Sequence, residues 1–501
     1  MLKRILAVFI LSCLLAACAA GRKETAPAVP QAASPVRITI LQMNDVYEIA
    51  PVSGGKEGGL ARVATLRDRL LADNPNTLTV LAGDLFSPSA LGTAPYAQSR
   101  LAGKQIVAAM NALGLDYITF GNHEFDIKKE QFHERLKESQ FTWISSNCFD
   151  QDGKPFPAVL ESKIVEVQGV KIGLFGVTLD SNKAEYVSYK DPFAVAKEKI
   201  AELRPKTDIL IALTHLSYQD DIALANRFPE LDLILGGHEH ENMQLLRGKD
   251  FTPIFKADAN ARTVYVHELS WDKTAAQPLH VSSRLERVTA ALPEQEKTAK
   301  AVAEWQGIGY EGFRKAGFEP ERVVAVSAEE LDGLEASVRN RSTRLTELIT
   351  QAMLHAAPGT ELSICNSGAI RIDDVLPPGK ITEYDVIRIL PFGGDIVTTK
   401  MKGSLLRKTL DQGLKNKGGG SYLQTGNVAG GGGQPWLING KKLDEKKIYS
   451  VAIAEYLLKV GDSGLEFLVK NPAAPVLENK GDIRKALIEE LKKVYGASQA
   501  E

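Results

Sequence analysis

The sequence predicts a layered α/β protein with a second, smaller mixed α/β domain behind the first, and three observations lead there. Apolar, β-branched runs of strand length alternate with runs of helical period up to about residue 290. Five of those strand-like runs end directly in a residue with a metal-ligating side chain: Asp45, Asp84, Asn122, His215 and His238. Beyond about residue 320 the character changes to short strands and helices in mixed order.

Residues 1–18 read as a targeting segment. Lys3 and Arg4 supply positive charge, and Ile5 to Leu15 is apolar. Leu15-Ala16-Ala17-Cys18 resembles the lipobox of bacterial lipoproteins, which makes Cys18 the lipidated first residue of the mature chain. The alternative is a plain secretory signal cut at a nearby small residue. Ala19 in place of Asp favours outer-membrane sorting, so the expected location is the cell envelope, lipid-anchored and facing the periplasm. Residues 19–35, rich in Ala, Pro, Ser and Thr, read as a flexible tether.

With 501 residues the chain is long enough for two or three domains. Sixty basic and sixty-two acidic residues nearly balance, which leaves no electrostatic case for a nucleic-acid polymer as partner. After the leader no stretch is long and apolar enough to span a bilayer. Cleavage leaves Cys18, Cys148 and Cys365. A Cys148–Cys365 disulfide would join two different domains, so two buried free thiols are the preferred reading.

The first domain is expected over residues 36–290. Val36 to Met43 alternates and is β-branched, a strand running into Asn44-Asp45. Gly58-Gly59 opens a helix to about Leu71. The strand Thr77 to Ala82 ends in Gly83-Asp84, and a helix over Lys104 to Leu113 follows. The strand Asp116 to Thr119 leads into Phe120-Gly121-Asn122-His123-Glu124-Phe125-Asp126, where Gly121 is expected to turn the chain sharply. Lys128 to Glu138 is helical, Thr142 to Ser146 is a strand, and Ile164 to Val177 is a hairpin broken at Gln168-Gly169. After a helix over Pro192 to Leu203, the strand Asp208 to Thr214 ends in His215. The strand Leu231 to Leu235 ends in Gly236-Gly237-His238-Glu239-His240. His133, His267, His280 and His355 lack ligand-type neighbours and read as surface or structural.

Two Asp, one Asn and three His can hold two metal ions. Asp84 is the natural bridge, because one carboxylate can bind both. Two such ions clamp a phosphoryl group and lower the pKa of a shared water. The imidazoles suit zinc, manganese, cobalt or iron better than magnesium. His123 can protonate a leaving oxygen, with Asp126 to orient its ring.

These blocks, in this order, resemble the 5′-nucleotidase / UDP-sugar hydrolase family of calcineurin-like metallophosphoesterases. The resemblance implies a four-layer α-β-β-α sandwich. It implies Asp45, Asp84 and His240 around one divalent metal ion, and Asp84, Asn122, His215 and His238 around the other. It also implies His123 and Asp126 as the catalytic dyad. The chain departs from the family at one ligand: the family reads Asp-x-His where this chain reads Asp45-Val46-Tyr47. Tyr47 is either a phenolate ligand, which favours a ferric or similarly acidic ion, or a wall residue beside a water ligand.

Residues 291–320 are expected to form an inter-domain helix, and residues 321–496 the substrate-binding domain. Thr343 to His355 is amphipathic and Leu362 to Asn366 is a short strand. Asn366 to Arg371, Phe392, and Ala454-Glu455-Tyr456 ahead of Gly461-Asp462 resemble the family's substrate blocks. By that resemblance Phe392 and Tyr456 sandwich a nucleobase, Glu455 binds ribose hydroxyls, and Arg339 and Arg371 contact phosphate. Glu335 stands near where the family often has a further Arg. Gly430 to Gly433 reads as a turn.

The function expected is release of phosphate from 5′-nucleotides, with nucleotide sugars or 2′,3′-cyclic nucleotides as further substrates, by a monomer or weak dimer. The alternatives are a nucleotide-binding lipoprotein weakened in catalysis through Tyr47, and a hydrolase of another ester such as a sulfur-oxidation intermediate. With metals and base slot in different domains, a hinge is expected near Trp305 to Phe318.

Overall fold

The computed structural model of the chain describes residues 35–182 and 184–496. The targeting segment, Cys18 and nearly all of the tether lie outside the described residues.

Two sheets face one another in the first domain. The first has seven strands in the order Leu279–Arg287, Thr263–Trp271, Val36–Met43, Thr77–Ala82, Tyr117–Thr119, Thr142–Ile144, Val159–Leu160. From Val36–Met43 through Val159–Leu160 the neighbours are parallel. The second has six, in the order Met243–Arg247, Thr252–Lys256, Leu233–Gly236, Ile209–His215, Val170–Thr178, Ser162–Val167. Ile38, Ile40, Val80 and Ile144 of the first sheet pack against Ile172, Ile211, Leu213 and Leu235 of the second. The helices Leu60–Asp73, Lys104–Leu113 and Lys129–Glu138 cover the outer face of the first sheet. Pro192–Leu203 and Tyr218–Arg227 cover that of the second. The result is the α-β-β-α sandwich, a fold in which each apolar sheet face is hidden by one neighbour.

Local chemistry explains several boundaries. Asp191 accepts from the Ala194 amide and Pro192 stands at the first helical position, which starts Pro192–Leu203. Gln168 and Gly169 both have positive φ and join the antiparallel strands Ser162–Val167 and Val170–Thr178. The strand expected to reach Ser146 stops at Ile144: the Ser145 amide makes the last ladder bond, to the Leu160 carbonyl, and the Ser146 amide turns to the Gly176 carbonyl of the second sheet.

The C-terminal domain is built on five strands in the order Leu423–Gly426, Leu362–Asn366, Ile448–Ala454, Asp395–Lys402, Glu478–Asp482. The helices Arg344–Ala356 and Ile483–Tyr495 pack together. Thr343 caps the former by accepting from the Thr346 amide. Gly430 to Gly433 all have positive φ and turn the chain between the paired strands Val428–Gly431 and Gln434–Ile438.

The helix Glu296–Lys315, near whose second half a hinge is expected, packs tightly on the sandwich along its length. Gly309 packs on Leu91 and Gly312 on the Pro95 carbonyl so closely that neither position has room for a side chain. It is anchored to the sandwich. One buried apolar cluster runs from Leu41 and Leu81 through Val302 and Phe313 to Ile389, Leu487 and Leu491, and so is shared by both domains. Cys148 and Cys365 are buried and unpaired. Among the described residues no helix is long and apolar enough to cross a membrane.

Candidate active site

Parallel pairing aligns Met43 with Leu81 and Ala82 with Thr119, so Asp45, Asp84 and Asn122 leave adjacent strand ends of the first sheet. In the second sheet Thr178 is paired with His215, and Thr214 with Gly236. The two rows of strand ends meet. His215 Nδ1 donates to the Ala82 carbonyl at 2.8 Å, and the His238 amide donates to Asp45 Oδ2 at 2.9 Å.

Asp45, Asp84 and His215 place one ligand atom each within 4.8 Å of one another, all buried. His215 Nε2 lies 3.3 Å from Asp84 Oδ2, and His240 Nε2 lies 3.4 Å from Asp45 Oδ1. The rings of His215 and His238 are 5.4 Å apart. His215 Nε2 and Asn122 Oδ1 are buried without a hydrogen-bond partner. Buried polar atoms are rarely left so, and both are atoms that ligate metals. Because Nδ1 of His215 donates to the Ala82 carbonyl, Nε2 is the atom turned toward Asp84, and it would offer its lone pair to a bound ion. The donors present therefore fit divalent metal.

Charge follows the same pattern. Burial alone would raise the Asp84 carboxyl, but the charges of His215 and His123 more than offset it and hold it well below the usual range. Burial opposes charge on His215 and His240 too. Asp84 and Asp45 nevertheless lift His215 to about 9, and the bond to Asp373, its charge and Asp45 lift His240 to about 10. The buried carboxylates thus draw positive charge onto their neighbours. His238 is pushed down to about 3, by burial and then by His215.

The backbone is strained where the expected ligands sit. Asp45, Asp84, His238 and His240 all have positive φ, of 51°, 60°, 93° and 62°. Gly121, expected as a turn glycine, is absent from the positive-φ residues. It is needed for space: a Cβ there would lie 2.6 Å from the Asp84 amide nitrogen and closer still to its carboxylate.

His123 Nδ1 lies 2.6 Å from Asp126 Oδ2. Asp126 is held in turn by Ser87 Oγ at 3.0 Å and Asn182 Nδ2 at 2.8 Å. Both rest on a cavity of about 760 Å³ whose wall also includes Arg371 and Phe392. A second cavity, about 450 Å³, is lined by Asn366, Arg371, Phe392, Glu455, Tyr456 and Asp462. Phe392 and Tyr456 are 46 % and 47 % exposed, unlike core aromatics. Arg371 and Phe392 belong to both walls, so base slot and dyad already adjoin.

Arg339 and Arg371 do come together, but on a protein carboxylate. Glu335 pairs with Arg339, lies 3.5 Å from Arg371 Nη1, and lies 3.4 Å from His240 Nδ1. Glu455 is paired with Lys459 at 2.7 Å.

Sequence reasoning missed four supporting groups. Glu124, fully buried, accepts from the amides of Asp84, Leu85 and Gly121 and so ties two ligand loops together. Burial and the Asp84 charge raise its carboxyl to about 7 against the pull of those amides. Its place inside the Asn122–Asp126 block was a usable signal. Buried Lys256 bridges Asp221 and Glu239 and donates to the Leu216 and Gly237 carbonyls, beside His215 and His238. Asn182 holds Asp126, and Asp373 accepts from His240 Nδ1 at 2.9 Å. His267 is buried and structural, between Gln42 and Ser283.

The model of the "Calcineurin-like phosphoesterase" family matches residues 38–242, and that of the "5'-nucleotidase, C-terminal domain" family matches residues 323–470. The chain is 28 % identical to the 5'-nucleotidase of Vibrio cholerae over 92 % of this chain and 91 % of that one. It is 25 % identical to the trifunctional nucleotide phosphoesterase protein YfkN of Bacillus subtilis over 78 % of this chain, and spans 28 % of that longer protein. The crystal structure of a 5'-nucleotidase precursor from Thermus thermophilus superposes with a TM-score of 0.74 at 24 % identity, covering 92 % of this chain and 97 % of that one.

Proposed function

The chain belongs to the 5'-nucleotidase family of calcineurin-like metallophosphoesterases, and on that premise we propose that it is a nucleotide phosphohydrolase dependent on two divalent metal ions. One observation carries the reading: Arg371 and Phe392 line both the cavity of the His123–Asp126 dyad and the cavity of the aromatic slot. A nucleotide that stacks its base between Phe392 and Tyr456 has its phosphate directed toward the dyad.

Asp45, Asp84 and His240 would hold one ion, and Asp84, Asn122, His215 and His238 the other. Bound there, the ions supply Lewis-acid charge and an activated water. Arg371 and Arg339 orient the phosphate through their planar donors. His123, its ring fixed by Asp126, donates to the oxygen that becomes the leaving group. The intact dyad disfavours a mere binding protein. The roomy cavity beside it, walled by Gln98, Ser99 and Arg100, suits leaving groups beyond a nucleoside. Nucleotide sugars are the further substrates proposed on that ground, and 2′,3′-cyclic nucleotides, whose leaving oxygen stays on the ribose, are proposed from the family resemblance alone. Leu15-Ala16-Ala17-Cys18 supports a lipid anchor on the periplasmic side of the envelope.

The test is phosphate release from 5′-AMP with manganese, zinc, cobalt or iron supplied in turn, and His123→Ala as control. Release that the substitution abolishes supports the reading. AMP binding without release under every metal would establish the non-catalytic alternative.

A further inference from the structure

We propose that the phenolic oxygen of Tyr47 is itself a ligand of the first metal ion, completing a four-donor protein shell with Asp45, Asp84 and His240. The proposal rests on the dinuclear reading above and goes beyond it, since that reading assigns Tyr47 no role.

The position of the oxygen is the first argument. Tyr47 Oη lies 2.9 Å from Asp84 Oδ2, 3.0 Å from His240 Nε2 and 3.3 Å from Asp45 Oδ1. Those are the three donors assigned to the first ion. His240 Nε2 and Asp45 Oδ1 are themselves 3.4 Å apart. Donors bonded to one ion at about 2.0–2.2 Å stand about 2.9–3.5 Å from one another across octahedral to tetrahedral angles. All four separations fall in that window. A phenol that only lined the wall, with water as the ligand, would stand farther out and would not reach all three.

Hydrogen bonding is the second argument. A neutral phenol has one hydrogen to give, and here it faces two carboxylate oxygens and an imidazole nitrogen. His240 donates from Nδ1 to Asp373, so Nε2 is the atom turned toward Tyr47, and it would offer its lone pair once a bound ion displaces its proton. One O–H satisfies only one of the two carboxylate oxygens, whereas a cation at the centre engages all four donors.

Preorganisation is the third. Tyr47 is only 4 % exposed. Its amide and that of Glu48 both donate to Asn260 Oδ1, and the Asn260 amide returns a bond to the Asp45 carbonyl. Its ring meets those of His240 and His123 edge-on, at 5.5 and 6.5 Å. The side chain is held in place before any ion arrives.

Coordination exchanges the phenolic O–H bond for an oxygen–metal bond, and the proton leaves to solvent. A phenolate is a hard, anionic donor, so the first position should select a more acidic ion than an imidazole would.

The full-length protein is stripped of metal and reconstituted, in one arm with iron under oxidising conditions and in another with zinc. Metal content, the visible spectrum and zinc retention against a chelator are read for wild type, Tyr47→Phe and Tyr47→His, with circular dichroism to confirm folding. The expected result is a visible phenolate-to-iron charge-transfer band in the wild type, absent from both variants. Tyr47→Phe should hold one of its two zinc ions at least tenfold more weakly, and Tyr47→His should regain it. Two bound ferric ions without the band, or unchanged zinc retention in Tyr47→Phe, would overturn the Tyr47 ligand and leave the dinuclear reading standing. A folded wild type that takes up no metal would overturn both.

Discussion

His240, on the sandwich, donates from Nδ1 to Asp373 of the C-terminal domain at 2.9 Å. The C-terminal domain therefore sets the ring of a proposed metal ligand that belongs to the other domain. Partners of this kind fix tautomer and orientation, and removing them costs about 10–100-fold in metal affinity. Asp373→Ala should weaken retention of one ion by that factor while His215 keeps the other. Unchanged chelator resistance would show that the bond is incidental.

The dyad yields the second prediction. Asp126→Asn keeps the shape of the side chain but removes the charge that faces His123. Turnover of 5′-AMP should fall about a hundredfold or more, with KM little altered because Asp126 does not contact the base slot. Ser87→Ala and Asn182→Ala, which each remove one bond to Asp126, should fall less. Steady-state kinetics at saturating metal separates these cases.

Stacking on Phe392 and Tyr456 should be worth about 1–3 kcal/mol per ring. Each Ala substitution should then raise KM for 5′-AMP roughly five- to a hundredfold. A phosphoester without a base, such as p-nitrophenyl phosphate, should be unaffected. Equal losses on both substrates would mean the rings support the fold rather than the base.

Glu335 stands between Arg339 and Arg371, the two groups proposed to orient the phosphate. Glu335→Gln should release both guanidinium groups and lower KM for 5′-AMP several-fold. A rise in KM would instead mean that Glu335 aligns the arginines.

His267 predicts an acid limb in stability. Burial pushes it down to about 3, from an unfolded value near 6.5. The unfolded chain therefore takes up this proton first. The stability concerned is fully present above pH 6.5 and is lost as pH falls toward 3, at up to about 1.4 kcal/mol per unit. Denaturant titrations should show the advantage of wild type over His267→Gln shrinking between pH 6.5 and 4.5. A constant difference would refute the assignment.

Much of the sandwich was legible because its strands are apolar runs closed by recognisable punctuation. The strands Val36–Met43 and Thr77–Ala82 and the helices Lys104–Leu113 and Pro192–Leu203 form at the residues expected. The gathering of Asp45, Asp84 and His215 into one buried cluster was legible for a related reason: each stands at or just after a strand end, and the parallel register does the rest. Helices such as Gly403–Lys415 and Ile483–Tyr495 went unassigned although Leu406 and Leu410, and Ile483, Leu487 and Leu491, recur at helical spacing. The supporting groups escaped for a physical reason. Asp373 lies 133 residues from His240, and nothing local marks a carboxylate that will meet an imidazole only after two domains pack. Glu335 likewise shows its partners only once the helix Glu335–Val338 is seated beside Arg371.

The apolar cluster that runs from Leu41 to Leu491 bears on how this protein can be cut and inherited. Each half has a core of its own as well, but a protease or a gene truncation that separates them would expose the shared cluster on both pieces and leave two sticky fragments rather than two working modules. The molecule should melt in one cooperative step, and its metal chemistry and its nucleotide recognition should be lost at the same temperature.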